Sequence, residues 1–222
     1  GEVEAGPFKD RYITLSHSIP EPNALALETP LGTILHTGDW KIDPSPQLGS
    51  ETDVDALNAL ADAGVLAMVC DSTNVFVEGE SGSEGVVREN LIELIGSLTG
   101  RVAVTTFASN VARVATVIEA ARQAGRSVCL VGRSMHKITD AAVATGVIKD
   151  LPDVISEDQA GSLPDDNLLF LCTGSQGEPR AALGRISRDD HRHISLGDGD
   201  TVIFSSRVIP GNEKGIYDMQ HA

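Results

Sequence analysis

The sequence predicts an α/β protein: a hairpin-rich segment followed by a parallel sheet with helices on both faces. Three observations carry this. From residue 102 onwards, short unbroken apolar runs alternate with amphipathic stretches of helical period, as expected of strands buried on both faces. Before residue 40 the apolar residues alternate in twos on either side of Thr29-Pro30-Leu31-Gly32, as expected of an antiparallel pair. Each later apolar run ends in a phrase rich in Gly, Ser, Asn or Thr, where a parallel sheet gathers its ligand-binding loops.

In order, residues 12–39 read as three strands. Pro30 and Gly32, at the second and fourth turn positions, suit a type I turn. Residues 44–50 are a loop, 53–63 a helix stopped by Gly64, and 65–70 a buried strand. Residues 71–85, rich in Gly, Ser and Glu, are a loop linking two domains, 1–84 and 85–222. Ser81-Gly82-Ser83-Glu84 matches a capping box. The helix after it turns Val87, Leu91, Leu94, Ile95 and Leu98 inward. Residues 102–107 are a strand, and Asn110 caps a helix to about residue 124, with Val111, Val114, Ile118 and Ala121 on one face. Residues 127–131 are a strand, and Ser134 caps a helix with Ile138, Ala141 and Ala142 inward. Residues 168–172 are a strand, and Glu178-Pro179 opens a third helix, Pro in its first turn. Residues 201–205 are the last strand.

Charge narrows the function classes. The net charge of −15 is uneven: residues 1–100 carry four basic and seventeen acidic side chains, whereas 101–150 carry seven and three. An acidic chain repels a phosphate backbone at long range, which argues against a simple RNA-coating module. A nuclease stays open, because a bound metal and a local basic lining act where the substrate sits. The 101–150 stretch is the natural lining. Cys70, Cys129 and Cys172 lie in apolar runs with no pairing pattern and read as buried thiols of a reducing compartment. With no membrane-length apolar run and no signal-peptide pattern at Gly1-Glu2-Val3-Glu4, the expectation is a cytoplasmic protein with no membrane partner.

Two groups of residues can carry chemistry. His17 and Asp39 stand at the ends of separate strands, as donors to a divalent metal do; such a pair also serves as a simple hydrogen bond. His36, an odd number of residues from Asp39, falls on the opposite strand face and reads as packing or support, with Trp40 packed beneath the site. The second group comprises four strand-end loops: Phe107, Ser109 and Asn110; Arg133 and Ser134; Ser175, Gln176 and Gly177; Ser205 and Ser206. Free N–H groups at helix starts suit phosphate oxygens, and the same residues are good caps and turns; four aligned loops favour binding. Phe107 can stack a base or fill the core.

The wording of these segments resembles the β-CASP branch of the metallo-β-lactamase superfamily, in particular the ribonuclease J family. The phrases are Leu15-Ser16-His17, His36-Thr37-Gly38-Asp39, Cys70-Asp71-Ser72-Thr73-Asn74, Thr106-Phe107-Ala108-Ser109-Asn110, Gly132-Arg133-Ser134-Met135, Thr173-Gly174-Ser175-Gln176-Gly177-Glu178-Pro179, and Phe204-Ser205-Ser206 with Ile209-Pro210-Gly211-Asn212-Glu213-Lys214. The resemblance implies part of an αββα sandwich over 1–84 and a β-CASP domain over 85–222, incomplete at its C-terminal end. It implies His17 as a metal ligand, Asp39 as the carboxylate bridging two Zn²⁺ ions (Mn²⁺ or Mg²⁺ being the alternatives), and Asp71 as an acid that orients a histidine. The family's His-x-His-x-Asp-His motif and its two late histidine motifs do not occur in these 222 residues. The chain is therefore expected to be an internal fragment, inactive alone, with an incomplete or absent metal site. The intact protein is expected to hydrolyse single-stranded RNA as a 5′-to-3′ exonuclease and endonuclease, and to form a dimer or tetramer. The alternatives are a hydrolase of DNA or a small ester on the same fold, and a non-catalytic RNA-binding or dimerisation module.

Overall fold

The computed structural model describes residues 1–222, in two units, 1–86 and 87–222. The first is built on a sheet ordered β1-β2-β3-β4-β5, from β1 (Glu2–Ala5), β2 (Phe8–Thr14), β3 (Asn23–Thr29), β4 (Gly32–His36) and β5 (Ala67–Val69). The first four strands form an antiparallel meander, and β5 joins β4 in parallel. In the β3–β4 turn the Thr29 hydroxyl donates to the Gly32 carbonyl and accepts from the Leu31 N–H. α1 (Val54–Ala63) is capped by the Asp53 carboxylate and stopped at Gly64, whose φ of 91° suits a residue without a Cβ. It packs Leu60 against Ile13, Leu15, Ala24, Ala26 and Leu35.

Three expectations for this unit fail. The N-terminal strand β1 carries too little apolar pattern to be seen in the sequence and forms by pairing with β2. β5 is not buried: it is three residues at the sheet edge, with Met68 61% exposed. An apolar run records the need for cover but not whether the cover lies within these residues. Cys70 beside it is exposed, whereas Cys129 and Cys172 are buried, and burial pushes both their thiols up to about 12.

α2 (Glu84–Ser97) begins without a capping box. Its first N–H groups go to the Asp43 carboxylate (from Glu84, 2.9 Å) and the Ser83 hydroxyl (from Gly85, 3.1 Å). Asp43 is buried, which would raise its pKa. Hydrogen bonds from Ser83, the Glu84 and Ser45 amides and Lys41 outweigh that and hold it at about 2.

The second unit is a four-stranded parallel sheet ordered β7-β8-β6-β9, from β6 (Val102–Thr105), β7 (Ser127–Val131), β8 (Leu168–Cys172) and β9 (Thr201–Phe204). Alternate residues enter two cores. Val102, Val104, Leu169 and Leu171 join residues of α2 and of α3 (Val111–Gln123), with Met135 of α4 (Arg133–Ala144). Ala103, Cys129, Phe170 and Cys172 face the other way. There they meet Ala160 of α5 (Glu157–Ala160), Leu183 of α6 (Ala182–Ile186) and Met219 of α7 (Glu213–Gln220). Helices thus cover both faces, as the unbroken apolar strands require.

Helix starts differ from expectation in two places. Gly132 occupies the N-cap of α4 with φ 110°, and Ser134 lies one residue inside the helix. A Cβ at Gly132 would meet the Thr173 hydroxyl at 2.7 Å, so neighbouring packing selects glycine. The buried face of α4 is then Met135, Thr139 and Ala142, with Ala141 exposed. After Glu178-Pro179 the chain makes a turn, and α6 starts only at Ala182, where the Ala182 N–H finds the Thr173 hydroxyl.

Candidate nucleic-acid interface

All four strands of the second unit run the same way, so their C-terminal ends share one edge, in the order β7, β8, β6, β9. The loops that leave this edge carry the residues singled out in the sequence. Arg133 and Ser134 are exposed at the first turn of α4 beside His136 and Lys137. Phe107 is half-buried, Ser109 exposed, and Asn110 caps α3 by accepting from the Arg113 N–H at 3.0 Å. Two helix starts, those of α3 and α4, therefore open onto this edge with a positive dipole end.

Ser175 and Gln176, both buried, follow β8 and divide in role. Ser175 is 2% exposed and its hydroxyl makes no hydrogen bond within the protein. Gln176 is spent internally. Its Nε2 donates to the Arg207 carbonyl (2.8 Å) and the Ser206 hydroxyl (3.3 Å). Its Oε1 accepts from the Ile209 N–H (2.9 Å) and the Asn212 Nδ2 (3.2 Å). An amide side chain has two N–H groups and two lone pairs, all used here, so Gln176 is no phosphate donor as it stands. At Gly177 (φ 76°) a Cβ would lie 2.2 Å from the Gly215 carbonyl carbon in α7, so the loop and helix backbones touch. At Ser205 the Arg113 guanidinium donates to both the carbonyl (2.9 Å) and the hydroxyl (2.7 Å), and the Thr106 hydroxyl donates to the same carbonyl. Arg113 and Thr106 are parts of this edge that sequence reading missed; their partner is over ninety residues away, and no spacing signals it.

In the first unit β2, β4 and β5 are co-directional, because β2 and β4 both oppose β3, and β5 parallels β4. His17, Asp39 and Asp71 follow those three strands, so one edge of this sheet gathers them too. His17 is half-buried with its Nδ1 3.0 Å from the Ser18 hydroxyl. Asp39 is exposed. Asp71 accepts from the Thr73 hydroxyl (2.6 Å) and the Thr73 N–H (2.9 Å), and its own N–H donates to the Thr37 hydroxyl (3.2 Å). The two Thr73 bonds lower its pKa most; slight burial opposes them and the nearby His17 adds to them. The acid is therefore held ionised in a turn.

Two expectations change. Trp40 is 38% exposed and does not pack beneath a site, and His36 is exposed, its Nδ1 accepting from the Gly38 N–H at 3.0 Å. No three His, Cys, Asp or Glu side chains converge anywhere in these residues, so His17 and Asp39 do not by themselves make a zinc site.

Residues 99–221 match the family model described as ribonuclease J, beta-CASP domain. The chain is 49% identical to a ribonuclease J of Sinorhizobium meliloti, over 99% of this chain and 39% of that protein. It is 42% identical to one of Corynebacterium glutamicum, over 96% and 30%, and 40% identical to one of Thermus thermophilus, over 93% and 37%. It spans between 30% and 39% of the length of these relatives. Among solved structures, a protein of unknown function from Enterococcus faecalis shares the fold, with a TM-score of 0.57 and 16% identity over 99% of this chain and 57% of that one.

Proposed function

The chain belongs to the ribonuclease J family, and on that footing we propose that the intact protein hydrolyses RNA phosphodiesters, with these residues as the segment that grips the strand. The observation that carries the reading is the single edge of the second unit's sheet, where four loops of hydroxyl, amide and N–H groups stand side by side. A small ester needs one such loop; a polynucleotide backbone presents a phosphate to each. Ser175, with its hydroxyl unspent, and the exposed Ser109, Arg133 and Ser134 are the phosphate contacts, and the half-buried Phe107 offers a ring face to a base. Asn110, Gly177, Ser205 and Ser206 shape the edge and offer backbone groups. The substrate is single-stranded RNA, cut from its 5′ end and internally.

The chemistry belongs to the first unit's edge in this reading. His17 and Asp39 are two donors of a divalent-metal site, two Zn²⁺ with Mn²⁺ or Mg²⁺ as substitutes, completed by side chains outside these residues. Such ions supply an activated water and charge stabilisation. Asp71, held ionised, orients an imidazole by accepting its N–H. We place the protein in the cytoplasm: all three cysteines are free thiols, and no helix is long and apolar enough to cross a membrane.

The test is digestion of end-labelled, 5′-monophosphorylated single-stranded RNA by the intact protein with Mn²⁺ or Zn²⁺, with Asp39→Ala as control. Mononucleotides released from the 5′ end and lost in the variant, at unchanged RNA affinity, are expected. Equal turnover by the variant overturns the metal assignment; RNA left intact and unbound by both overturns the nuclease reading.

A further inference from the structure

The segment after β9 lacks regular structure from Ser205 to Asn212; Arg113 and Thr106 hold its first residue, and one side chain from another loop, that of Gln176, reaches four of the others. The four hydrogen bonds of the Gln176 amide reach Ser206, Arg207, Ile209 and Asn212. The Gln176 N–H is taken in turn by the Glu178 carboxylate at 2.9 Å, which sets the direction of the side chain. Directly behind it the Gly177 backbone lies against Gly215, so the start of α7 is located by the same loop.

We infer that Gln176 is a positioning residue for RNA binding: its amide holds Ser206–Asn212 in register with the loop after β8, and leaves the neighbouring Ser175 hydroxyl to the phosphate. The inference rests on the functional reading above and goes beyond it by separating two adjacent residues of one loop into a contact and a support. The physical basis is satisfiability. A buried amide with all four positions filled gains nothing from a ligand without losing an internal bond, whereas the Ser175 hydroxyl has no protein partner to give up. Ordering this segment before RNA arrives also removes an entropy cost from binding.

The intact protein carrying Gln176→Met, similar in length and without hydrogen-bonding groups, tests this against the wild type and Gln176→Glu. Hydrogen exchange at the Ile209 amide, whose N–H is bonded to Gln176, reads the clamp. Exchange at Val104 and Leu171 in the sheet reads the fold. Turnover of a 5′-monophosphorylated single-stranded oligoribonucleotide reads the consequence. In Gln176→Met, Ile209 should exchange at least about tenfold faster with the sheet unchanged, KM should rise about tenfold, and kcat should stay within about twofold. Gln176→Glu keeps the acceptor for Ile209 and loses the donors, so its KM should lie between the two. That KM should recover towards wild type as pH falls and the carboxyl regains a proton to donate. Unchanged Ile209 exchange overturns the clamp. Faster exchange at unchanged KM, or a loss confined to kcat, overturns the positioning role. If Gln176→Met also loosens the sheet, the pH recovery of Gln176→Glu decides. A wild type that neither binds nor cuts the RNA overturns the functional reading, while Ile209 exchange still reports on the clamp.

Discussion

The two units use the same device, residues placed past the ends of co-directional strands, and complete it to different degrees. In the second unit the strands are adjacent, and the loops after β6 and β8 are tied to the loop after β9 by Arg113, Thr106 and Gln176. In the first, the antiparallel β3 stands between β2 and β4, and the three candidate residues do not converge into a set of donors. Cover differs in the same sense. β6, β7 and β8 of the second unit carry side chains buried on both faces, with β9 partly exposed at the edge; in the first, Leu66, Met68, Val69 and Phe76 lie open. A parallel α/β sheet makes its own edge and its own two cores. A meander with a single helix does neither within these residues.

The largest test of that contrast is Leu171→Ala. Leu171 is fully buried in the first core of the parallel sheet, and its loss should cost about 3 kcal/mol or more in urea unfolding of the second unit. A cost below about 1 kcal/mol would mean that this core is no better packed than the open strand of the first unit.

Asp43 comes next, as the one well-covered carboxylate of the first unit. Its folded pKa of about 2 lies below the ordinary 3.8, so its contribution is complete above pH 4 and is lost as pH falls towards 2. The difference corresponds to about 2 kcal/mol at neutral pH. Asp43→Asn should remove most of this and flatten the acid limb of the stability profile between pH 4 and 2. An unchanged acid limb would show that α2 does not depend on this cap.

Phe76→Ser should have the smallest effect, within about 0.5 kcal/mol, because Phe76 is 98% exposed. Measured in this chain and again in the intact protein, the substitution sharpens the comparison. A cost that appears only in the intact protein marks the 66–77 stretch as a face covered there.

The sequence made the second unit legible because its signals are local. The 127–131 and 168–172 strands coincide with β7 and β8, the Asn110 cap is as read, and the wording of the loops pointed to the family; in the first unit the same local signals gave the Asp53–Gly64 helix. Periodicity, caps and stops are decided within a few residues, and a chain can be read for them without knowing what it touches. Tertiary structure alone decided that Asp43, some forty residues away, caps α2, and that packing against Thr173 puts glycine at the start of α4. It also decided that the Gln176 amide is turned inward and spent while the Ser175 hydroxyl is left over. Those outcomes depend on which buried donors meet which acceptors once distant segments are in place. Hydrogen-bond satisfaction is settled in space, and the order of residues along the chain carries no record of it.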